Sequence, residues 1–370
     1  IGLQITASPM WDPAEEIYKL VYSGAAEAAD FTTDDLLMNS VSAPSRGDHF
    51  YCYATSRDGV NWEKPFLELH DYEGRSYTGE RIGKQNNIIP NGVSAVRDPN
   101  DPDPSRRYKA QHHADGTRLH KKKFAVSPDL FSWEWLDVPP VPGGGTSSFT
   151  YDEGKGLFII MVKRKGPYGR AVCVTTSEDF ENWTEAEMVF HADAQDQVNG
   201  RERLAQFFDD SGYLPPPVNR PKEYVTDVYQ LPVFPYEGIY IGTPVMFHQS
   251  GRTPPLYENA DGRKTMELIV SRDLRNWERV AGRRPFIEQS PLGDGSAYDT
   301  GQLAPSNRPI VRNDELWFYY GGLRHRDLNQ AAAWDREYLD SGAICLARLR
   351  LDGFCSLQGQ VEAGSVLTKP

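Results

Sequence analysis

The sequence predicts an all-β chain that folds as a five-bladed β-propeller with four antiparallel strands in each blade. Two repeated sequence elements predict this fold, and a turn-rich composition supports it. The 32 glycines and 27 prolines argue against a helical bundle, because both residues interrupt helices. The 39% hydrophobic and 12% aromatic content supplies enough apolar surface for a buried core, which excludes disorder as the main state.

The first repeated element is a strand that ends in the pattern Ser-x-Asp-x-x-x-Trp. The aspartate suits the turn because its carboxylate accepts backbone N–H hydrogen bonds. An aspartate that recurs in every unit is expected to serve the architecture rather than catalysis. Four copies occur, and a degraded fifth keeps only the aspartate, Asp352: Tyr53–Trp62, Phe124–Trp133, Val174–Trp183, Leu268–Trp277 and Leu346–Cys355.

The second repeated element is a strand, an acidic turn and an aromatic strand, at Met10–Tyr18, Val96–Tyr108, Thr150–Phe158, Phe234–Tyr240 and Val311–Trp317. Together the two elements give four strands per unit, and 370 residues divided among five units give a mean period of 74. Four-stranded antiparallel units repeated radially make a β-propeller. We expect a single domain over 1–370, with blades at about 1–70, 86–138, 146–190, 227–286 and 297–366.

Four long stretches rich in Gly, Pro, Asp and Arg are expected to be loops, at 24–48, 67–86, 190–226 and 248–264. The one helical turn that the pattern suggests is Asn329–Tyr338. In blades with strand order A–B–C–D, the A–B and C–D turns share one face of the disc. The long B–C loops and D–A crossovers share the other face, where sites usually lie. Asp98, in an A–B turn, is therefore expected to be a turn residue.

The net charge, the hydropathy and the cysteine spacing exclude several classes of partner and site. A net charge of −12 repels phosphate backbones, so we expect no nucleic-acid partner. No run of 18 apolar residues is present, so we expect no membrane-spanning helix. The cysteines, at 52, 173, 345 and 355, form no CxxC pair, which gives no support to a zinc site. Three of them, Cys52, Cys173 and Cys345, lie in apolar runs and are expected to be buried free thiols. A Cys345–Cys355 bridge stays open as an alternative.

The candidate site residues lie where the innermost strands begin and the second strands end. They mix carboxylate, amide, imidazole, phenol and guanidinium groups, which together could bind several sugar hydroxyls and a carboxylate. The adjacent histidines are not a metal signature, because neighbours in a strand point to opposite faces. The predicted substrate-binding residues are Asn87, His112, His113, Arg164, Tyr229, Gln230, His248, Gln302 and Arg324.

These residues and turns resemble a known superfamily, the five-bladed propeller glycoside hydrolases that include families 32, 43, 62, 68 and 130. Ser271–Trp277 is the clearest match to its turns. The C-terminal Leu351–Leu357, followed by Thr368–Pro370, is similar to uncharacterised family 32-like proteins. The resemblance implies carboxylates on the inner strands, one acting as an acid and one as a base or nucleophile.

The sequence departs from the superfamily pattern at two places. Gln4 and Thr6 lie where the first inner strand usually carries an aspartate, and Gly143–Ser148 replaces an acidic motif in the third blade. We therefore predict Asp227 and Asp299 as the catalytic pair. The other carboxylates expected on this face lie in loops: Glu80, Asp196, Glu202 and Asp294.

The predicted function is hydrolysis of a terminal sugar, a furanoside or an acidic sugar, from an oligo- or polysaccharide. Basic residues on the loop face motivate the acidic sugar: Lys163, Arg164, Arg170, Arg324 and Arg326. One alternative is a uronate lyase that uses His112, Tyr229 and Arg164, and another is a non-catalytic binding propeller. No cofactor is expected. An axial structural cation stays open, because related propellers sometimes hold one. The chain starts at Ile1 rather than Met, so a trimmed N-terminus and export to the periplasm or medium stay open.

Overall fold

The computed structural model describes residues 3–5, 7–25, 49–75, 80–89, 94–113, 121–253, 257–324 and 342–356. Within these ranges the strands form five successive antiparallel units arranged as a β-propeller, which confirms the predicted fold class. The strand order within blade 3 is that of the sequence, innermost to outermost. Blade 4 is divided into two sheets of four strands each. We call the sheet that begins with Val225 the upper sheet and the one that begins with Val233 the lower sheet.

The first three blades contain sixteen of the described strands. Blade 1 comprises β1 Leu3–Ile5, β2 Met10–Asp12, β3 Ile17–Ala25, β4 His49–Ser56 and β7 Ile88–Ile89, with a separate hairpin of β5 Tyr72–Arg75 and β6 Arg81–Gly83. Blade 2 comprises β8 Ser94–Arg97, β9 Tyr108–His113, β10 Lys121–Ser127, β11 Glu134–Trp135 and β12 Val141–Pro142. Blade 3 comprises β13 Gly144–Asp152, β14 Leu157–Gly166, β15 Gly169–Ser177 and β16 Glu187–His191.

The helix α1, Ala194–Asp209, connects blade 3 to blade 4. The upper sheet of blade 4 comprises β17 Val225–Gln230, β20 Val245–Thr253, β21 Tyr257–Met266 and β24 Ile287–Glu288. Its lower sheet comprises β18 Val233–Tyr236, β19 Ile239–Gly242, β22 Ile269–Ser271 and β23 Glu278–Arg279. Blade 5 comprises β25 Gln302–Pro305, β26 Ile310–Arg312, β27 Glu315–Leu323 and β28 Gly342–Arg350. Short 3₁₀ helices span Pro104–Arg106, Pro221–Glu223 and Ala281–Arg283.

The repeated turns are built by one set of hydrogen bonds. In blade 4, Ser271 Oγ donates to Asp273 Oδ1 over 3.0 Å, and the same oxygen accepts the N–H of Asn276 over 2.7 Å. Trp277 Nε1 then donates to the carbonyl of Leu274 over 3.0 Å. The backbone N–H and the side-chain amide of Asn276 donate hydrogen bonds to the Asp273 carboxylate, and these bonds hold the pKa of Asp273 well below its ordinary value. These aspartates are turn residues, as their repetition predicts.

An apolar layer fills each junction between neighbouring blades, including the junction between the last blade and the first. Blade 3 packs on blade 4 through Val172 and Val228. At the closing junction, Leu20 of blade 1 packs with Trp317 of blade 5 in a buried cluster. Because every sheet buries both of its faces against neighbours, the ring stabilises its own closure.

Polar contacts on the turn face also connect the blades. Tyr240 of blade 4 donates to Asp152 of blade 3 over 2.8 Å. Arg308 of blade 5 and Ser8 of blade 1 exchange two hydrogen bonds of 2.7 Å across the closing junction. Each joins residues far apart in sequence, so each helps to fix the order of the ring.

Some of the stretches expected to be loops have regular structure. The stretch 190–226 contains α1, which has a capping box between Asp193 and Asp196. A search for apolar periodicity misses this helix, because two of its four buried positions are Asp196 and Gly200. The stretch 67–86 contains the β5–β6 hairpin, and 248–264 contains most of β21. Asn329–Tyr338 lies outside the described residues.

The four cysteines are free thiols in the structure. The alternative of a Cys345–Cys355 bridge is therefore wrong, and Cys345 lies instead beside Tyr320 at the blade 4–blade 5 junction. Burial raises the pKa of the Cys345 thiol to about 11, so it stays protonated at neutral pH. No helix in the described ranges is long and apolar enough to cross a membrane.

A buried ion pair in blade 1, which also accepts a hydrogen bond from blade 2, gives a pH-dependent contribution to stability. Asp12 accepts hydrogen bonds from Lys19 Nζ over 2.8 Å and from Tyr108 of blade 2 over 3.2 Å. Burial alone would raise the pKa of Asp12, but the Lys19 ammonium and the Ala14 N–H hold it at about 2. Its folded pKa is below its unfolded value of 3.8, so its stabilising effect is present above pH 4 and declines as the pH falls toward 2.

We predict that Asp12→Asn lowers the free energy of unfolding by about 2 kcal/mol at pH 6, and by about half as much at pH 3. Urea titrations of both proteins at the two pH values measure the difference. An equal difference at both pH values would contradict the proposed role of the Asp12 charge.

Candidate functional site

The candidate site lies where β13, β17 and β25, the innermost strands of blades 3 to 5, begin. Because the innermost strand runs antiparallel to the second, these starts lie beside the B–C hairpins, on the face opposite the repeated turns. Asp227 and Tyr229 lie within β17, and Asp299 precedes β25 by three residues. The hairpin between β14 and β15 brings Arg170 against β17.

Asp227 is a buried carboxylate held by nitrogen donors. Its Oδ2 accepts the backbone N–H of Arg170 over 3.0 Å, Nη1 of the same arginine over 2.9 Å and Gln249 Nε2 over 2.9 Å. Burial raises the pKa of Asp227, while the Arg170 charge and these N–H donors oppose that rise. The carboxylate is therefore fixed in position by blade 3 and by the second strand of its own blade.

Gly169 allows the hairpin to approach this closely. Its φ of +115° is one that side-chain-bearing residues rarely adopt. A Cβ atom at this position would lie 2.8 Å from Asp227 Oδ2, which is too close for non-bonded atoms. The glycine therefore serves both the backbone conformation and the approach of Arg170 to Asp227.

Three basic side chains surround the Tyr229 ring, and we call Lys163, Arg170 and Lys264 the cationic cluster. Lys163 Nζ lies 3.9 Å and Lys264 Nζ 4.0 Å from the ring centroid, with the Arg170 guanidinium at 5.3 Å. Cations at these distances interact favourably with the ring quadrupole. The ring thus lets three like charges lie near one another.

Burial and like charge lower the pKa of Lys163 to about 7, with Arg170 and Lys264 as its main charged neighbours. Lys122 of blade 2 is buried and donates to the carbonyl of Gly145 over 2.9 Å. Desolvation lowers the pKa of Lys122 to about 7. The site therefore contains two amines that can change protonation state near neutral pH.

Blade 5 completes the site from the other side. Lys264 Nζ donates to Gln302 Oε1 over 2.8 Å, which connects the cluster to β25. Asp299 Oδ2 accepts the phenolic hydrogen of Tyr320 over 2.8 Å. The Asp299 residue is 5% exposed.

The structure thus brings Asp227, Tyr229 and Gln302 together through the cationic cluster. Gln230 follows in β17, where its Nε2 donates weakly to Ser148 Oγ of blade 3 over 3.4 Å. Arg324 lies with its guanidinium 4.0 Å from the Tyr298 ring, next to the loop that carries Asp299.

The other predicted residues have contacts elsewhere in the blades. Asn87 Nδ2 donates to the Tyr22 hydroxyl over 2.8 Å and to the carbonyl of Tyr53 over 2.7 Å, within blade 1. His112 lies edge-on to Trp135, with ring centroids 5.7 Å apart. His113 pairs with Lys122 in the β9–β10 ladder.

Two further predicted residues lie on the second strands of blades 3 and 4. Arg164, on β14, lies near the buried thiol of Cys173. His248 is 1% exposed, and its ring contacts Thr226 Oγ1 over 3.0 Å and Thr265 Oγ1 over 3.1 Å. Burial and the nearby arginines lower the pKa of His248 to about 3, so the imidazole is neutral beneath α1.

An ion network holds α1 against blade 4 over His248. Arg283 binds Asp193 and Asp196 at the start of the helix, and Arg279 and Arg203 bind Glu267 over 2.8 and 2.9 Å. Asp196, which the sequence suggested as a loop carboxylate, is therefore a structural member of this network. The helix covers one face of the blade whose other face carries Asp227 and Lys264.

Sequence analysis missed Lys264, Lys122 and Gln249. The sequence pattern that could have revealed them is a charged residue at a buried position of a strand. Lys122, Phe124 and Val126 occupy every second position of β10, so they share one face, and all three are buried. Lys264 similarly pairs with the buried Phe247. Among the described residues, no group of three or more His, Cys, Asp or Glu side chains could hold a metal ion.

The comparisons found similar solved structures. No family model and no curated protein matches the chain. An endo-1,4-β-xylanase from Bacteroides thetaiotaomicron is 11% identical, with a TM-score of 0.49 over 93% of this chain and 90% of that one. A Bombyx mori family 32 β-fructofuranosidase is 10% identical, with a TM-score of 0.48 over 95% and 63%. A β-1,2-mannobiose phosphorylase from Listeria innocua is 13% identical, with a TM-score of 0.38 over 96% and 74%.

These matching structures are carbohydrate-active enzymes. At such identities and TM-scores they carry no argument about the residues or the reaction of this chain.

We predict that Gly169→Ala destabilises the fold by about 1–3 kcal/mol and displaces Asp227. The matched control is Gly238→Ala, where φ is +80° but no atom lies within 4 Å of the added Cβ. Both substitutions strain the backbone, whereas only the first also collides with a carboxylate. Chemical denaturation compares the two, and an equal loss of stability would contradict the close packing of the hairpin on Asp227.

Proposed function

We propose that this propeller is a glycoside hydrolase that releases a terminal sugar, a furanoside or an acidic sugar, at the starts of β17 and β25. The observation that supports this most directly is that two carboxylates of adjacent blades are buried: Asp227 within β17, and Asp299 in the loop just before β25. Glycoside hydrolysis needs a proton donor for the leaving oxygen and a second carboxylate for the oxocarbenium-like centre.

The hydrogen bonds around the two carboxylates suit different roles. Asp227 receives N–H donors from Arg170 and Gln249, and such donors stabilise a charged carboxylate. We assign it the role of nucleophile, base or stabiliser of positive charge. Asp299 instead accepts a hydrogen bond at Oδ2 from a neutral donor, the Tyr320 hydroxyl. We assign it the role of acid.

The surrounding groups suit a sugar. The amides of Gln302 and Gln230 can donate to or accept from hydroxyls. The exposed Tyr168, at the tip of the β14–β15 hairpin beside Arg170, offers an aromatic face for a sugar ring. Sites of this kind combine few polar groups of fixed orientation with a rigid scaffold.

One observation favours a second candidate, a uronate lyase. β-Elimination needs a base and a cation that neutralises the uronate carboxylate. Lys163, whose pKa burial lowers to about 7, lies against Tyr229 and near Lys264 and Arg170. A pKa near the working pH suits a general base. In this version Lys163 replaces the His112 that the sequence suggested, because His112 contacts Trp135 and Tyr51 instead.

A panel of 4-nitrophenyl glycosides and uronate-containing polysaccharides tests the proposal. Release of nitrophenol or of new reducing ends without ultraviolet absorbance indicates hydrolysis. An unsaturated uronide, which absorbs in the ultraviolet, indicates the lyase. Sugar binding without either product would contradict both activities and indicate a binding propeller.

With the substrate that the panel identifies, we predict that Asp227→Asn and Asp299→Asn each lower kcat about 10²–10⁴-fold. The matched control is Asp294→Asn, because Asp294 is an exposed carboxylate in the loop before β25 and should retain full activity. Circular dichroism and thermal melts check that each variant is folded. A folded Asp227 or Asp299 variant with more than half of the normal kcat would contradict the assignment.

A further inference from the structure

The cationic cluster lacks an internal counter-charge of equal size. It contains three basic groups, and the carboxylate beside it, Asp227, already accepts hydrogen bonds from Arg170 and Gln249. Lys264 donates to a neutral amide, Gln302. No carboxylate among the described residues forms an ion pair with Lys163 Nζ, which lies over the Tyr229 ring. Cations withdrawn from water without a partner destabilise a fold.

The charge balance points to a singly charged ligand. Three cations and one carboxylate leave an excess of two positive charges when all are ionised. Burial and the charges of Arg170, Lys264 and Lys122 lower the pKa of Lys163 to about 7, against the opposing charge of Asp227. The cluster therefore keeps a net positive charge at neutral pH whether or not Lys163 is ionised. A monoanion offsets part of this positive charge, whereas a dianion would meet stronger repulsion from Asp227.

The position of the cluster connects this anion to a sugar. The cluster surrounds Tyr229, two residues after Asp227 in the strand that the proposed hydrolase uses. It also contacts Gln302, three residues after Asp299. An anion at the cluster would thus lie beside Asp227 and next to the strand that follows Asp299.

We propose that the cationic cluster binds the carboxylate of a uronic acid, so that the substrate of this site is an acidic sugar and Lys163 takes up a proton when it binds. This inference rests on the proposed function for the location of the sugar, although binding itself needs no turnover. The groups that face Lys163 are Arg170 from β15, Asp227 and Tyr229 from β17, Lys264 from β21 and Lys122 from β10. A bound carboxylate favours the charged amine, so affinity should fall as the pH rises above 7.

Isothermal titration calorimetry of the intact chain tests the inference with D-glucuronate, D-galacturonate, D-glucose, D-galactose and inorganic phosphate. We expect a uronate to bind about 10–100-fold more tightly than its neutral counterpart, as for hydrogen bonds to charged groups. In Tris and imidazole buffers at pH 8, the observed enthalpies should differ because protons are taken up, whereas at pH 6 they should agree. Equal affinity for uronate and neutral sugar would overturn the inference, and so would tighter binding of phosphate than of either uronate.

Lys163→Met provides a second readout. We expect it to abolish the preference for uronate and the proton uptake. It should also raise the thermal midpoint of the free protein, because it removes repulsion with Arg170 and Lys264. The matched control is Lys155→Met, on the turn face, where Lys155 Nζ contacts the Tyr240 hydroxyl. It should leave binding unchanged. A lower midpoint with an unchanged uronate preference would contradict a binding role for Lys163.

The results separate this inference from the proposed function. Uronate preference without hydrolysis supports the ligand and contradicts the hydrolase. Hydrolysis of a furanoside by a chain with no uronate preference supports the hydrolase and overturns the ligand.

Discussion

The contact between Arg170 and Asp227 is the interaction on which the site depends. It joins the hairpin of blade 3 to the innermost strand of blade 4 through the backbone N–H and the guanidinium of one residue. Gly169 permits the approach, since a side chain there would collide with the carboxylate. The contact fixes the orientation of Asp227. It also pairs the negative charge of Asp227 with Arg170, so that this charge does not neutralise Lys163. The same hydrogen bonds thus set both the geometry and the charge balance of the site.

The rest of the propeller supplies rigidity to this contact. Apolar layers at all five blade junctions hold the sheets, and the junction of blades 3 and 4, with Val172 and Val228, lies directly beside the site. The helix α1 and its ion network cover the far face of blade 4 over His248. Functional groups on strands held from both sides keep their orientation better than groups on loops. This rigidity allows three basic groups to remain close without moving apart.

The sequence predicted the architecture well because the architecture repeats. Four Ser-x-Asp-x-x-x-Trp turns carry their own local hydrogen bonds, so the pattern in the sequence corresponds to structure without any knowledge of distant contacts. Strand parity then placed Asp227, Tyr229 and Gln302 on one face, and the structure brings these three together. The helix α1 was missed because its buried face includes Asp196 and Gly200, whose partners Arg279 and Thr226 lie elsewhere in the chain.

The charge of the site could be predicted only in part, because here too the contacting residues lie far apart in the sequence. Lys163 and Arg170 were recognised as basic residues of the loop face, whereas Lys264 and Lys122 were overlooked within buried strands. Their importance comes from packing between blades, which brings Lys264 to the Tyr229 ring and Lys122 to Gly145. A burial pattern in one strand cannot reveal which neighbouring blade a lysine will meet.

A crystal structure of the protein with bound D-glucuronate or D-galacturonate tests the central claim most directly. The account predicts that the sugar carboxylate lies within hydrogen-bonding distance of Lys163 Nζ, about 2.7–3.2 Å, with the sugar ring near Asp227 and Asp299. A sugar bound on the turn face, or one in the site with its carboxylate directed into solvent, would contradict it.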